Sequence, residues 1–160
     1  MAGIFDYQAG ELNQVKKMTE ITLEPSKGWT PKMVEWACVM AIRGTDEYQR
    51  GWEFGLKLGD DVDEAIRMEP CWAGDHEWGD PATNYRTMTM LIKSTIDYNR
   101  EAKGMGEYTL AADLGRWEGY NRSLLIHKMD HEIRPVPDML VAELVEILRE
   151  KAEKEDWREE

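Results

Sequence analysis

Residues 30–59 read TPKMVEWACVMAIRGTDEYQRGWEFGLKLG. Thr30 followed by Pro31 is a helix start: the hydroxyl can cap free amides, and proline suits the first helical position. From Met33 to Ile42 every residue except Glu35 is apolar. A helix that is apolar on all sides is surrounded by protein, so residues 30–43 are expected to be the buried centre of the fold. Gly44 ends this helix, and Thr45-Asp46-Glu47 caps a second one carrying Tyr48, Trp52, Phe54, Leu56 and Leu58.

Gly51, Gly55 and Gly59 in that second helix fall on one face at four-residue spacing. Gly115 and Gly119 repeat the spacing, and RGWEFG at 50–55 is echoed by GRWEGY at 115–120. Glycine costs a helix about 1 kcal/mol relative to alanine. The favoured explanation is a close crossing of the two segments, with a groove floored by exposed backbone as the alternative.

Further helices follow outward from this core. Asp60-Asp61-Val62-Asp63-Glu64 opens a short helix that ends near Glu69-Pro70. Asp80-Pro81 caps a long amphipathic helix running to Lys103, with Tyr85, Met88, Ile92, Thr95, Ile96 and Asn99 at helical spacing. Another helix is expected from about Thr109 to His131, with Leu110, Leu114, Trp117, Leu124 and Leu125 facing inward. Pro135 and Pro137 break the chain before a terminal helix over 138–160. That helix has an apolar face of Leu140, Val141, Leu144, Val145, Ile147 and Leu148, a charged tail, and an isolated Trp157. Residues 1–28 read as an arm containing a short helix or a short strand (Thr19, Ile21, Leu23). The expected fold is all-α, one irregular bundle of five or six helices.

A chain of 160 residues with 42% hydrophobic and 32% charged residues fits a single globular domain. The start MAGIFDYQAGELNQ lacks a basic and apolar leader, and no apolar run approaches membrane length. Two cysteines give no disulfide framework, and a cytoplasmic setting is expected. The net charge of −12 argues against direct binding to nucleic acid or an anionic membrane.

The charge is concentrated. Residues 60–80 carry eight acids and one base, Arg67, in the connection GDDVDEAIRMEPCWAGDHEWGDP at 59–81. Helix capping explains Asp60, Asp61, Asp63 and Glu64 without any function. Glu69, Trp72, Asp75, Glu77, Trp78 and Asp80 remain as a candidate partner-binding surface, acids forming a rim and the two indoles desolvated anchors. Its partner would be a basic or nucleic-acid-binding protein, with the chain acting as an inhibitor or nucleic-acid mimic. Only by analogy does this suit phage or mobile-element counter-defence.

Two other classes are open. His127 and His131, four apart on a helix, project one turn apart and suit a transition metal such as zinc. Cys71 and His76 would complete a Cys-His₃ set, and a metal-dependent hydrolase would then use the acids of the connection. Alternatively, residues 138–150 make a homo-oligomer through Leu140, Leu144 and Ile147. No calcium loop, phosphate-binding glycine loop or nucleophile elbow is present.

Overall fold

A computed structural model describes residues 31–102 and 106–155. They form seven α-helices and one 3₁₀ turn, with no strand among them. The helices are α1 (Pro31–Arg43), α2 (Asp46–Asp60), α3 (Val62–Met68), α4 (Pro70–Ala73), α5 (Pro81–Ala102), α6 (Gly106–Ile126) and α7 (Asp138–Glu155), with the 3₁₀ turn at Asp130–Glu132. The all-α expectation holds. The arm at 1–28 and Trp157 lie outside the described residues.

The central helix is α6. It buries Leu110, Ala111, Asp113, Leu114, Gly115, Arg116, Trp117, Gly119, Tyr120, Ser123 and Leu124, and packs against α1, α2, α5, α7 and the 3₁₀ turn. The expectation that residues 30–43 form the centre is corrected. Among the described side chains of α1, only Ala37, Cys38 and Ile42 are buried, while Met33 is 42% and Trp36 50% exposed. The reason lies in how burial is achieved. An apolar composition measures how much a helix gains from contact, whereas glycine decides how closely a neighbour can approach.

That approach occurs between α2 and α6. A Cβ at Gly51 would collide with the carbonyl oxygen of Ala112, at Gly55 with that of Arg116, and at Gly59 with the Ser123 hydroxyl. From the other side, Gly115 meets the Tyr48 carbonyl and Gly119 that of Trp52. The partners advance together along both helices, so α2 and α6 run parallel, backbone against backbone. Glycine Cα–H groups facing carbonyls recur at such interfaces and add weak attraction. The expected close crossing is therefore the one formed, and no groove is left between these faces.

Helix α5 runs antiparallel to α6, joined by hydrogen bonds from the Asn84 amide to the Tyr120 hydroxyl (2.8 Å) and from the Tyr85 hydroxyl to Asn121 (2.5 Å). Met88, Ile92 and Ile96 are buried along it, as its spacing predicts. Helix α1 is tied to α6 by Glu118, which accepts from Arg43 Nε (2.9 Å) and from the Tyr48 hydroxyl (2.8 Å).

Two further expectations change. Helix α6 stops at Ile126 rather than His131, because Lys128 adopts a left-handed conformation (φ 60°). The Met129 amide returns to the Leu124 carbonyl (2.7 Å) and that of Lys128 to Leu125 (3.1 Å), a Schellman-type stop built without glycine. In α7, Leu140 and Leu144 are fully buried and Leu148 nearly so, while Ile147 packs partly buried on the same core. The face expected to mediate oligomers thus packs within the chain itself.

Gly55→Ala is expected to destabilise the protein by at least about 2 kcal/mol, the overpacking cost exceeding alanine's better helix propensity. Gly79→Ala, where an added Cβ meets nothing within 4 Å, should change stability by less than about 0.5 kcal/mol. Urea unfolding of the two variants checks both.

Candidate functional site

The acidic connection is a folded ledge. Asp61 caps α3 by accepting from the Glu64 amide (3.2 Å), and Arg67 answers Glu64 on the exposed face (2.7 Å). Val62, Ala65 and Ile66 turn the other side of α3 to the core. Pro70 opens the single turn of α4. After it, the chain is pinned to α5: the Thr87 hydroxyl donates to the Glu77 carbonyl (2.7 Å), and the Asn84 side chain pairs with both the amide (2.8 Å) and carbonyl (3.1 Å) of Gly79. Asp80 accepts from the Thr83 amide (2.8 Å), and hydrogen bonding from Thr83 holds its carboxyl below the usual range.

Both tryptophans of the ledge turn inward. Trp72 and Trp78 are half-buried and meet Phe54 of α2 edge-on, at centroid distances of 5.3 and 5.9 Å, and lie 5.7 Å from each other. The Trp78 indole donates to the Ala73 carbonyl (2.8 Å). The two indoles expected as anchors form the floor of the ledge, each half-buried. The physical cause is the aromatic cluster itself, which offers the rings edge-to-face contacts that solvent does not.

Glu69 also points inward. Its two oxygens accept from Arg116 Nη2 and Nε, each at 2.8 Å, and the guanidinium lies 4.2 Å from the centre of the Trp72 ring. On its other side Arg116 forms a short ion pair with Asp113, whose side chain is fully buried. One cation therefore serves two carboxylates, Asp113 fully buried and Glu69 partly exposed. Burial opposes the charge on Arg116, but hydrogen bonds to Glu69 and attraction to Asp113 outweigh it, and its pKa is raised. For Asp113 burial wins: it pushes the carboxyl up to about 6 despite Arg116 and the Thr95 hydroxyl, and Glu69 adds repulsion. Among the described residues, Trp72 Nε1, Asn99 Nδ2 and Asp113 Oδ2 are buried polar atoms without a hydrogen-bond partner; two of the three belong to this cluster.

Of the expected partner-binding residues, Asp75, Glu77 and Asp80 face solvent, while Glu69, Trp72 and Trp78 support the ledge from beneath. The expected metal ligands are not brought together. His127 lies 3.7 Å from Asp60 and His131 3.7 Å from Glu132, on opposite sides of the α6 stop, and Cys71 is exposed on α4. Among the described residues, no group of three His, Cys, Asp or Glu side chains forms a potential metal centre. The charged pair Asp113 and Arg116 carries the site's electrostatics and is absent from the sequence-based candidates. Its signal is present: two opposite charges three apart on a segment otherwise read as inward-facing.

Compared with known proteins, the chain matches no family, no curated protein and no solved structure.

Asp113 gives a signed pH dependence. Between about pH 4 and 6 the folded protein keeps a proton that the unfolded chain has released, so stability falls as pH rises through this window and levels off above it. Asp113→Asn is expected to flatten that slope. Urea midpoints measured from pH 4.5 to 7.5 for both proteins check it, by the difference between the two curves.

Proposed function

We propose that the protein is a non-enzymatic binding module whose acidic ledge occupies a basic surface of a partner protein, as an inhibitor or nucleic-acid mimic would. The observation that carries this reading is the two-sided construction of the ledge. Asp63 on α3, Asp75 and Glu77 face solvent, the backbone at Glu77 and Gly79 is held by Thr87 and Asn84, and the rings beneath pack against Phe54. A scaffold that fixes carboxylates in space resembles a phosphate-bearing strand in charge and loses little freedom on binding.

The exposed acids have few internal cations to answer them. Among the described residues Glu77 is answered only by Arg86 at 3.8 Å, and Arg67 is engaged by Glu64. Exposed pairs of this kind contribute little to stability, so folding alone does not account for the clustering. The free cysteines, Cys38 buried and Cys71 exposed, support a reducing, cytoplasmic setting. Among the described residues no helix is long and apolar enough to cross a membrane.

The triple variant Asp63→Lys, Asp75→Lys, Glu77→Lys leaves the caps, the Arg116 cluster and the aromatic floor intact. It is expected to keep the wild-type circular dichroism spectrum and lose at least 10-fold in capture of basic proteins from lysate at low salt. Captured proteins should also be displaced by duplex DNA. Undiminished capture by the variant, or capture indifferent to DNA, contradicts the reading.

A further inference from the structure

We infer that Arg116 is a charge-sensitive latch on the ledge: ionisation of Asp113 loosens its hold on Glu69 and frees Trp72 toward a partner. The inference rests on the reading of the ledge as a partner surface and adds a control to it.

Three observations build the latch. First, Glu69 joins α3 to α4, and its bidentate contact with Arg116 is the ionic tie between segment 69–76 and the central helix. Beyond Glu77 the chain is fastened separately to α5. Second, the same guanidinium stacks on Trp72, so ion pair and indole leave together. Third, Asp113 sits at 0% side-chain exposure with Oδ2 unpartnered.

The groups acting on Asp113 come from three elements: Arg116 from α6, Glu69 from the connection and the Thr95 hydroxyl from α5. The Thr95 hydroxyl, which also lies 3.0 Å from the Leu91 carbonyl, favours the ionised form of Asp113, but burial outweighs it.

With Asp113 ionised, two carboxylates share one guanidinium, and the cluster carries a net negative charge with only Glu69 partly exposed (24%). Such a charge is costly in a low-dielectric interior. It is relieved either by protonating Asp113 or by letting Glu69 swing out to water. Opening removes the Glu69 charge from Asp113 and admits solvent, so Asp113 holds its proton less tightly in the open form. Linkage then requires the open form to gain population as pH rises through the titration of Asp113. When segment 69–76 opens, Trp72 is uncovered and Trp78 loses one of its ring contacts, supplying aromatic anchors beside the exposed acids.

Amide hydrogen exchange on the free protein tests this. Ala73 and Gly74 donate within the segment to the Glu69 and Pro70 carbonyls (both 2.9 Å), so their protection reports its opening. After correction for the intrinsic pH dependence of exchange, the open population of segment 69–76 should be about 5-fold larger at pH 7.5 than at pH 5.0. Asp113→Asn should abolish that ratio. Where Asp113→Asn fails to fold, Glu69→Gln serves: with one carboxylate left for Arg116, opening should be frequent at both pH values. Equal opening of the wild type at the two pH values overturns the latch, as does the wild-type ratio persisting in either variant. No partner enters this measurement, so its failure leaves charge-reversal capture standing, and failure of capture leaves the latch standing.

Discussion

A single guanidinium buried between two carboxylates sets the arrangement of this protein. Arg116 is 8% exposed at its side chain, and it occupies that position because α2 lies backbone to backbone on α6 through Gly51 and Gly55. Gly55 faces the carbonyl of Arg116 itself. Once that contact encloses α6, a charge on it must be paired, since removing one member of a buried ion pair typically costs about 3–5 kcal/mol. Asp113 supplies one partner from the same helix and Glu69 the other from the connection. The position of the ledge thus follows from the need to neutralise the centre.

The same constraint divides the connection into an inner and an outer face. Glu69, Trp72, Ala73 and Trp78 pack toward Phe54 and Arg116, leaving Asp63, Asp75, Glu77 and Asp80 outside. Capping fixes Asp61 and Asp80 at helix starts without neutralising them. Recognition by such a surface begins with long-range charge, while the indoles, the groups most able to give lasting contacts, are held beneath. Under the proposed function, charge would bring a basic partner close and release of Trp72 would let it stay.

Much of the architecture is legible in the residues. The helix starts at Thr45 and at Asp80-Pro81 follow from local capping chemistry, and the inward stripe of α5 follows from its period. The glycine spacing in RGWEFG and GRWEGY gives the α2–α6 contact, because repeated glycine in a helix needs a compensating neighbour. The identity of the central helix is not legible from apolarity: α1 is richer in large apolar residues than α6, yet glycine permits an approach that side-chain hydrophobicity does not measure. The stop at Ile126 escapes because Lys128 takes the left-handed position that glycine usually fills. At the site, the exposed positions of Asp75, Glu77 and Asp80 follow from their polarity. The inward turn of Glu69 and Trp72 does not, since it depends on Arg116, 47 residues away from Glu69 in the chain.

The most direct test of this account is the titration of the Asp113 carboxyl carbon by nuclear magnetic resonance, in the wild type and in Glu69→Gln. Burial of Asp113, with its guanidinium partner shared by Glu69, predicts a midpoint near 6 in the wild type and a lower one in the variant, where Arg116 answers Asp113 alone. An ordinary carboxylate midpoint in the wild type, or a midpoint unmoved by Glu69→Gln, would contradict the claim that one buried cation couples the central helix to the acidic ledge.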